Sequence, residues 1–375
     1  MKYCTNCLQT NTRPGIKFTE TGLCPACNYH NNTRDIDWES RYEILQDIVK
    51  EYKNDDGSWD CIIGVSGGKD STRQALWARD KLGLNPLLVC LGYPPQQVTD
   101  RGVNNISNLI ELGFDVVVWT IQPETYRKLI RNGFLEHINW AKPSEQAIIS
   151  SVPNLALKYD IKLILWGENP GLQLGDLKTL GKTGYDGNNL RYMNTVAGGG
   201  LEYMLEAGFE RKNLIPYLYP HHKEFDEAAL QIIYLGWFWN DWSIINNGTY
   251  ASSYGLELRD DGVKNTGDLW GVFSLDEDWV TLNQMIKYYK FGFGRVSDYC
   301  NEAIRLGNMT REDGIKLAEK YDDSCSPEYI KSFCEYIDIP ISLFWDKVYG
   351  SVNKDLFNID NKGKIERKFK VGLGL

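Results

Sequence analysis

Residues 66–71 read Ser66-Gly67-Gly68-Lys69-Asp70-Ser71, and they follow the apolar run Cys61-Ile62-Ile63-Gly64-Val65 and precede a helical pattern. A buried strand, a glycine turn and a helix start together form a cradle for an anion. The two glycines let the backbone approach a phosphate closely, and serine hydroxyls and helix N–H groups donate to its oxygens. Lys69 adds a positive charge. An ordinary glycine-rich turn is the alternative, but the preceding strand favours a phosphate site.

Apolar runs alternate with helical stretches in the first half of the chain. The runs with the length of strands are residues 61–65, 87–91, 116–120 and 161–166. Helical patterns, such as those at 70–82 and 100–112, separate them. This alternation predicts an α/β fold, with a parallel sheet that carries helices on both faces.

Ligands of such sheets bind beyond the carboxyl ends of the strands, and three segments lie there. The first is the phosphate loop after Val65. The second is Gly92-Tyr93-Pro94-Pro95, and the third is Gly167-Glu168-Asn169-Pro170-Gly171. The carboxylate of Glu168 and the amide of Asn169 can hold a magnesium ion or orient a substrate. A solvated loop acid is the alternative for Glu168.

Four cysteines occur in the first 27 residues as two pairs, Cys4-x-x-Cys7 and Cys24-x-x-Cys27. This spacing is typical of a zinc ribbon, in which four thiolates surround one Zn²⁺ tetrahedrally. A closed four-cysteine site leaves no open coordination position, so the zinc is expected to be structural. The five other cysteines are scattered singly, which indicates small apolar residues rather than disulfides.

The chain has 375 residues, 42% of them hydrophobic, and a formal net charge of −9. The acidic balance argues against nucleic acid as a partner. The sequence contains no apolar run long enough for a membrane span, and Met1–Thr5 does not resemble a signal peptide. We therefore expect a cytoplasmic protein that does not bind membranes.

Composition and helix signals divide the chain into three predicted regions. These are a zinc ribbon at 1–35, the nucleotide domain at 36–275, and a helical region at 276–375 that ends in an exposed basic tail from Asn361. Thr310 and Ser326 have the sequence contexts of helix N-caps. The glycine-rich stretch 181–200 is either a mobile loop over a substrate or a plain excursion, and His221 and His222 are interpreted as a solvated loop pair.

Several motifs together resemble one known family. The motif SGGKDS at 66–71 resembles the SGGxDS signature of the PP-loop ATP pyrophosphatases, which have the adenine nucleotide alpha hydrolase-like fold. With the cysteine pairs, GENPG at 167–171, YLGWF at 234–238 and FGFGR at 291–295, the order resembles the N-acetyl sugar amidotransferases. Those enzymes belong to lipopolysaccharide and flagellin-glycan pathways that make acetamidino sugars. Asn240-Asp241-Trp242 departs from the family pattern and is assigned no role.

The resemblance implies that ATP activates the acetamido group of a nucleotide-linked sugar as an O-adenylyl imidate, and that ammonia then displaces AMP to leave an amidine. It implies ATP, Mg²⁺ and structural Zn²⁺ as cofactors, with Asp70 positioning the magnesium. The catalytic residues that it implies are Lys69, Asp70, Glu168 and Asn169. The ATP-binding residues are Val65, Ser66, Gly67, Gly68, Lys69, Asp70, Ser71, Leu91 and Gly167.

The sequence also bears on the nitrogen source of the reaction and leaves two alternative functions open. No G-x-C-x-G elbow surrounds any of the nine cysteines, so a separate glutaminase with an ammonia-channelling, cyclase-like subunit is implied as partner. A PP-loop enzyme of tRNA sulfur transfer is one alternative, although such enzymes usually carry catalytic cysteines and a basic surface. A nucleotide-binding scaffold without turnover is the other.

Overall fold

A five-stranded parallel sheet with the strand order β3-β2-β1-β4-β5 lies at the centre of the computed structural model. The structure describes residues 1–168, 177–179, 181–193 and 196–375. The strands are β1 (Cys61–Gly64), β2 (Pro86–Gly92), β3 (Asp115–Thr120), β4 (Leu163–Trp166) and β5 (Gln231–Tyr234). The α/β class is confirmed, and β5 is a strand that the sequence analysis did not identify.

Helices flank the sheet and form most of the C-terminal part. They are α1 (Pro25–Asn32), α2 (Trp38–Lys50), α3 (Lys69–Asp80), α4 (Asp100–Glu111), α5 (Pro123–His137), α6 (Ala141–Lys158), α7 (Glu202–Glu206), α8 (His222–Glu227), α9 (Ile244–Ser252), α10 (Val263–Thr266), α11 (Val280–Phe291), α12 (Arg295–Arg305), α13 (Arg311–Tyr321), α14 (Pro327–Ile337) and α15 (Ile341–Ser351). Among the residues described, no helix combines the length and the apolar character needed to cross a membrane.

The turn between β1 and α3 requires glycine for a steric reason. Gly67 has a φ of +72°, which lies in the left-handed region. A Cβ atom at this position would lie 2.8 Å from the Cβ of Asn105 on α4. Only glycine therefore lets the loop pass this closely under α4 and still begin α3 directly at Lys69.

Helix α6 covers one face of the sheet beside this loop. Its residues Ile149, Val152 and Leu155 belong to a buried cluster with apolar side chains of β1, β2 and β4. Pro153 lies inside the helix without ending it. The first two turns of α6 extend past the sheet and border the space above the strand ends.

The cysteine-rich segment packs on the C-terminal helices. The hydroxyl of Thr12 donates to the carbonyl of Phe291 at 2.5 Å, and Arg13 forms an ion pair with Asp298 on α12. Leu8 belongs to the same buried cluster as residues of α11 to α15. The two ends of the chain thus form one packed unit. The helix starts predicted at Thr310 and Ser326 are confirmed, since both side chains cap a helix N-terminus.

The prediction of an exposed tail from Asn361 is wrong, because this segment folds back and packs on the core. Residues Phe357–Ile359 (β6) and Ile365–Arg367 (β7) form an antiparallel hairpin. Phe369 and Val371 are buried, and the N–H of Leu375 donates to the carbonyl of Met1 at 3.3 Å. The basic side chains are exposed as expected, but the apolar residues between them hold the segment against the core.

Candidate active site

The loop 66–71 lies above the carboxyl end of β1, where the first turn of α3 begins. Gly68 is the N-cap residue, and its backbone is extended. The first N–H groups of a helix have no acceptor within the helix, so they are free to bind an anion. The hydroxyl of Ser71 donates to the carbonyl of Gly68 at 3.2 Å, which ties this side chain to the loop itself.

A cavity of about 340 Å³ opens directly over this loop. Most of the predicted site residues line it: Val65, Ser66, Gly68, Lys69, Asp70, Ser71, Leu91, Gly167 and Glu168. Gly67 does not border the cavity, since it is turned towards α4. Asn169 lies outside the described residues. Three separate stretches of sequence, 65–71, Leu91 and 167–168, thus meet where the sequence predicted a nucleotide site.

Lys69 and Asp70 belong to a continuous chain of polar contacts. The Nζ of Lys69 donates to Asp70 at 2.7 Å, and Asp70 also accepts from the Nδ2 of Asn247 at 2.6 Å. The Oδ1 of Asn247 accepts from Arg73, which forms a two-pronged ion pair with Asp241 at 2.8 Å for both contacts. Asp241 therefore supports the loop through Arg73 and Asn247, a role that the sequence analysis did not assign.

Glu168 faces the same cavity, and its pKa is raised to about 7. Removal from water is the main cause, and the negative charge of Asp70 is the second. The side chain remains accessible from the cavity. Two carboxylates that repel each other across a cavity provide the oxygen ligands that Mg²⁺ prefers. The donor set of Asp70 and Glu168 therefore fits a magnesium ion.

A further part of the cavity wall comes from the segment 272–277, and no sequence motif pointed to it. A buried carboxylate, that of Asp268, shapes this turn by accepting the N–H groups of Trp270, Gly271 and Phe273 at 2.9 to 3.1 Å. Ser274 adopts a φ of +46°, which is unusual for a residue other than glycine. Its carbonyl accepts from Arg259 at 2.6 Å.

Two further carboxylates, Asp276 and Glu277, lie in this wall. Removal from water raises the pKa of Asp276 to about 6 and that of Glu277 to about 8, and in Glu277 the charge of Asp276 adds to the effect. The carboxylate of Glu277 also accepts the N–H of Val280 at the start of α11. Leu91, Tyr93 and Trp140 add apolar and aromatic side chains to the lining of the same cavity.

We expect Glu277→Gln to stabilise the protein increasingly as the pH rises. The pKa of Glu277 is higher in the folded protein than in the unfolded chain, so its contribution to stability is complete below about pH 4.5 and is lost as the pH rises through about 8. Glutamine keeps an acceptor for Val280 without this loss. The melting temperature of the variant, relative to the wild type, should increase by about 3–8 °C between about pH 5 and 9.

Glu312→Gln is the matched control, because it removes the same charge at an exposed position of α13. Its melting temperature should differ from the wild type by a constant amount across the same pH range. If the melting temperature of Glu277→Gln also differs from the wild type by a constant amount, burial does not raise the pKa of Glu277 as expected.

The four N-terminal cysteines form a second candidate site. Their Sγ atoms all lie within 4.8 Å of one another, and all four residues are buried. Backbone N–H groups donate to three of the sulfurs: Cys24 to Cys4 at 3.2 Å, Gln9 to Cys7 at 3.4 Å, and Cys27 to Cys24 at 3.4 Å. Such bonds stabilise thiolates, so the four residues fit a tetrahedral Zn²⁺.

Two other predicted features lie away from the cavity. His221 is the N-cap of α8, where its Nδ1 accepts the N–H of Lys223, and both His221 and His222 are exposed. Within the glycine-rich stretch, residues 185–187 pack along β5. Gly187 donates to the carbonyl of Ile232 at 2.8 Å, and Tyr234 donates to that of Tyr185 at 2.9 Å. This part extends the edge of the sheet.

The C-terminal part of the chain matches a model of a known protein family. Residues 268–370 match the family model described as LPS biosynthesis protein WbpG-like, C-terminal domain. The match confirms the resemblance to a lipopolysaccharide-biosynthesis family. It begins at Asp268, so it includes the cavity wall at 272–277 as well as α11 to α15.

Other similarities are more distant. The uncharacterized protein MJ1599 of Methanocaldococcus jannaschii is 27% identical over 108 residues, which are 27% of this chain and 37% of that protein. An NMN synthetase from Francisella tularensis is 18% identical over 36% of this chain and 56% of its own, with a TM-score of 0.28. An NH3-dependent NAD synthetase from Campylobacter jejuni, in complex with nitrate, is 15% identical over 60% of this chain and 100% of its own, with a TM-score of 0.30.

Proposed function

We propose that this chain, WbpG-like over residues 268–370, is an ATP-dependent amidotransferase that converts an acetamido group of a nucleotide-linked sugar into an acetamidino group. The observation that carries the proposal is the composition of one cavity. The SGGKDS loop with Lys69 and Asp70 forms one part of its wall, and residues 272–277, near the start of the region matched to lipopolysaccharide biosynthesis, form another. The proposal therefore has an ATP site border a wall that matches a lipopolysaccharide-biosynthesis family.

The chemistry has two steps. An amide oxygen is a poor leaving group, so the acetamido oxygen first attacks the α-phosphorus of ATP, and pyrophosphate leaves with the electron pair of the broken P–O bond. Ammonia then adds to the resulting O-adenylyl imidate carbon, loses a proton, and expels AMP. The net products are amidine, AMP and pyrophosphate.

Several of the residues that line the cavity have a role in this scheme. The first N–H groups of α3 and the side chain of Lys69 bind the pyrophosphate end and neutralise the charge that develops on it. Asp70 and Glu168 would hold Mg²⁺, which supplies further charge neutralisation on the phosphates. The apolar and aromatic side chains of Leu91, Tyr93 and Trp140 suit the nucleoside. Asn169 keeps its proposed role of orienting the acetamido group.

The tRNA sulfur-transfer alternative is less well supported by the geometry. Sulfur transfer needs a reactive thiolate, but none of the described residues that line the cavity is a cysteine. Cys61 and Cys90 are both buried, and burial raises the pKa of Cys90 to about 12. The scaffold alternative predicts nucleotide binding without pyrophosphate release.

We further propose that ammonia arrives from a separate glutaminase through a channelling, cyclase-like subunit. Near pH 7 free ammonia is almost fully protonated and has no lone pair for the attack. The sequence carries no glutaminase elbow around its nine cysteines. A protected route from a partner would deliver the unprotonated nucleophile to the cavity.

The test is incubation of the purified chain with ATP, Mg²⁺, ammonium and candidate UDP- and CMP-diacetamido sugars. We expect AMP and pyrophosphate, and a sugar product lighter by the difference between O and NH in mass spectrometry. The rate should increase as the pH rises above neutral, because the unprotonated amine attacks.

A second arm replaces ammonium with glutamine. The chain alone should then form no amidine, because in this proposal the partner hydrolyses glutamine. Glutamate release by the chain alone, at the rate of AMP formation, would contradict the partner proposal. Unchanged sugars with every nitrogen source would contradict the reaction itself.

A further inference from the structure

The aromatic ring of Phe273 makes a contact that the proposed reaction does not yet use. The Nζ of Lys69 lies 4.3 Å from the centre of this ring, and the guanidinium carbon of Arg295 lies 4.4 Å from it. The side chain of Lys69 is only 5% exposed. A cation above an aromatic face is attracted by the ring quadrupole, and the attraction increases as water is excluded.

The structure around Phe273 holds this ring in place from several sides. The N–H of Phe273 donates to the carboxylate of Asp268 at 2.9 Å, and the hydroxyl of Tyr299 donates to the same carboxylate at 2.7 Å. The rings of Phe273 and Tyr299 meet edge to face at 5.5 Å. Arg295 donates to the hydroxyl of the adjacent Ser274 at 3.3 Å. The ring therefore has a fixed place against the loop lysine.

We propose that Phe273 is a positioning residue that holds the Lys69 ammonium at the phosphate loop before the nucleotide binds. An ammonium group has three N–H donors. Asp70 accepts one of them at 2.7 Å, and the ring fixes the direction of the side chain, so a donor remains for a phosphate oxygen in the cavity. Phe273 belongs to the WbpG-like region, so that region also prepares the lysine of the ATP loop.

This inference rests on the proposed function, in which Lys69 binds the phosphates of ATP. The first experiment measures pyrophosphate binding to the full chain by calorimetry. We expect Phe273→Leu to weaken binding about 3- to 30-fold, while Phe273→Tyr and Phe273→Trp stay within about 2-fold of the wild type. Leucine keeps an apolar side chain but has no ring quadrupole, whereas tyrosine and tryptophan retain one.

The second experiment separates the cation contact from simple packing. Phenylalanine analogues with one, two or three ring fluorines are introduced at position 273, because fluorine weakens the ring quadrupole with little change in size. The logarithm of the dissociation constant should rise steadily with the number of fluorines. Equal affinity across the series, or tighter binding in Phe273→Leu, would overturn the proposal.

Two controls identify which idea fails. Phe293 is the matched control ring, because it also contacts two cations but does not line the cavity. The guanidinium carbon of Arg13 lies 4.5 Å from its centre, and the Nζ of Lys287 lies 5.1 Å from it. Phe293→Leu should leave pyrophosphate affinity unchanged, and a loss equal to that of Phe273→Leu would overturn the proposal. Lys69→Ala tests the proposed function. If this variant binds pyrophosphate as tightly as the wild type, the assignment of residues 66–71 as a phosphate-binding loop is wrong. If Lys69→Ala weakens binding but Phe273→Leu does not, only the positioning role of Phe273 is wrong.

Discussion

Lys69→Ala is expected to lower the rate of AMP and pyrophosphate formation by at least about 100-fold. Negative charge develops on the leaving pyrophosphate, and Lys69 is the lysine that the structure places in the cavity wall beside the helix start. A donor positioned in advance in a site with little water stabilises such charge strongly. Asp70→Ala should produce a loss of similar size, because Asp70 holds Lys69 and is a proposed magnesium ligand.

The measurement is the release of pyrophosphate and AMP, together with ATP–pyrophosphate exchange. Lys331→Ala is the matched control, because Lys331 is an exposed lysine on α14. That variant should keep the full rate. Formation of ADP and phosphate by the wild type, or a full rate in Lys69→Ala, would contradict the assignment of the loop.

The sequence predicted the central part of this site because its signals are local. A glycine turn, a preceding apolar run and a following helix start are encoded within about a dozen residues, and the glycine requirement at position 67 is a steric one. Four strands of the sheet were predicted for the same reason. The strand β5 was missed because its four residues continue directly into the apolar residues of a short 3₁₀ helix, Leu235–Trp237.

The remaining parts of the site depend on contacts between distant segments. Asn247 and Asp241 support Asp70 only because α9 packs beside α3. Phe273 contacts Lys69 only because Asp268 and Tyr299 shape the turn before it. A single sequence contains no local signal for such pairs. The tail prediction failed likewise, since two apolar residues within a basic segment decided where it packs.

The four-cysteine centre gives the second large expected effect. The double variant Cys4→Ser/Cys7→Ser should lose about one equivalent of zinc and lower the melting temperature by more than about 5 °C. The ribbon contributes Leu8 to the core of the C-terminal helices, and Thr12 and Arg13 bond to α11 and α12. Loss of the metal would therefore unfold the ribbon and expose the surface of α11 and α12 on which it packs.

Metal analysis and thermal unfolding of the variant, beside Cys325→Ser as control, test this expectation. Cys325 lies outside the four-cysteine cluster, so its variant should retain the zinc. Four sulfurs leave no coordination position for a substrate, so the folded fraction of Cys4→Ser/Cys7→Ser should retain ATP–pyrophosphate exchange at low temperature. A stable, metal-free wild type with four freely titrating thiols would show that the sulfur cluster needs no ion. If the fully folded variant instead loses ATP–pyrophosphate exchange, the ribbon takes part in the reaction.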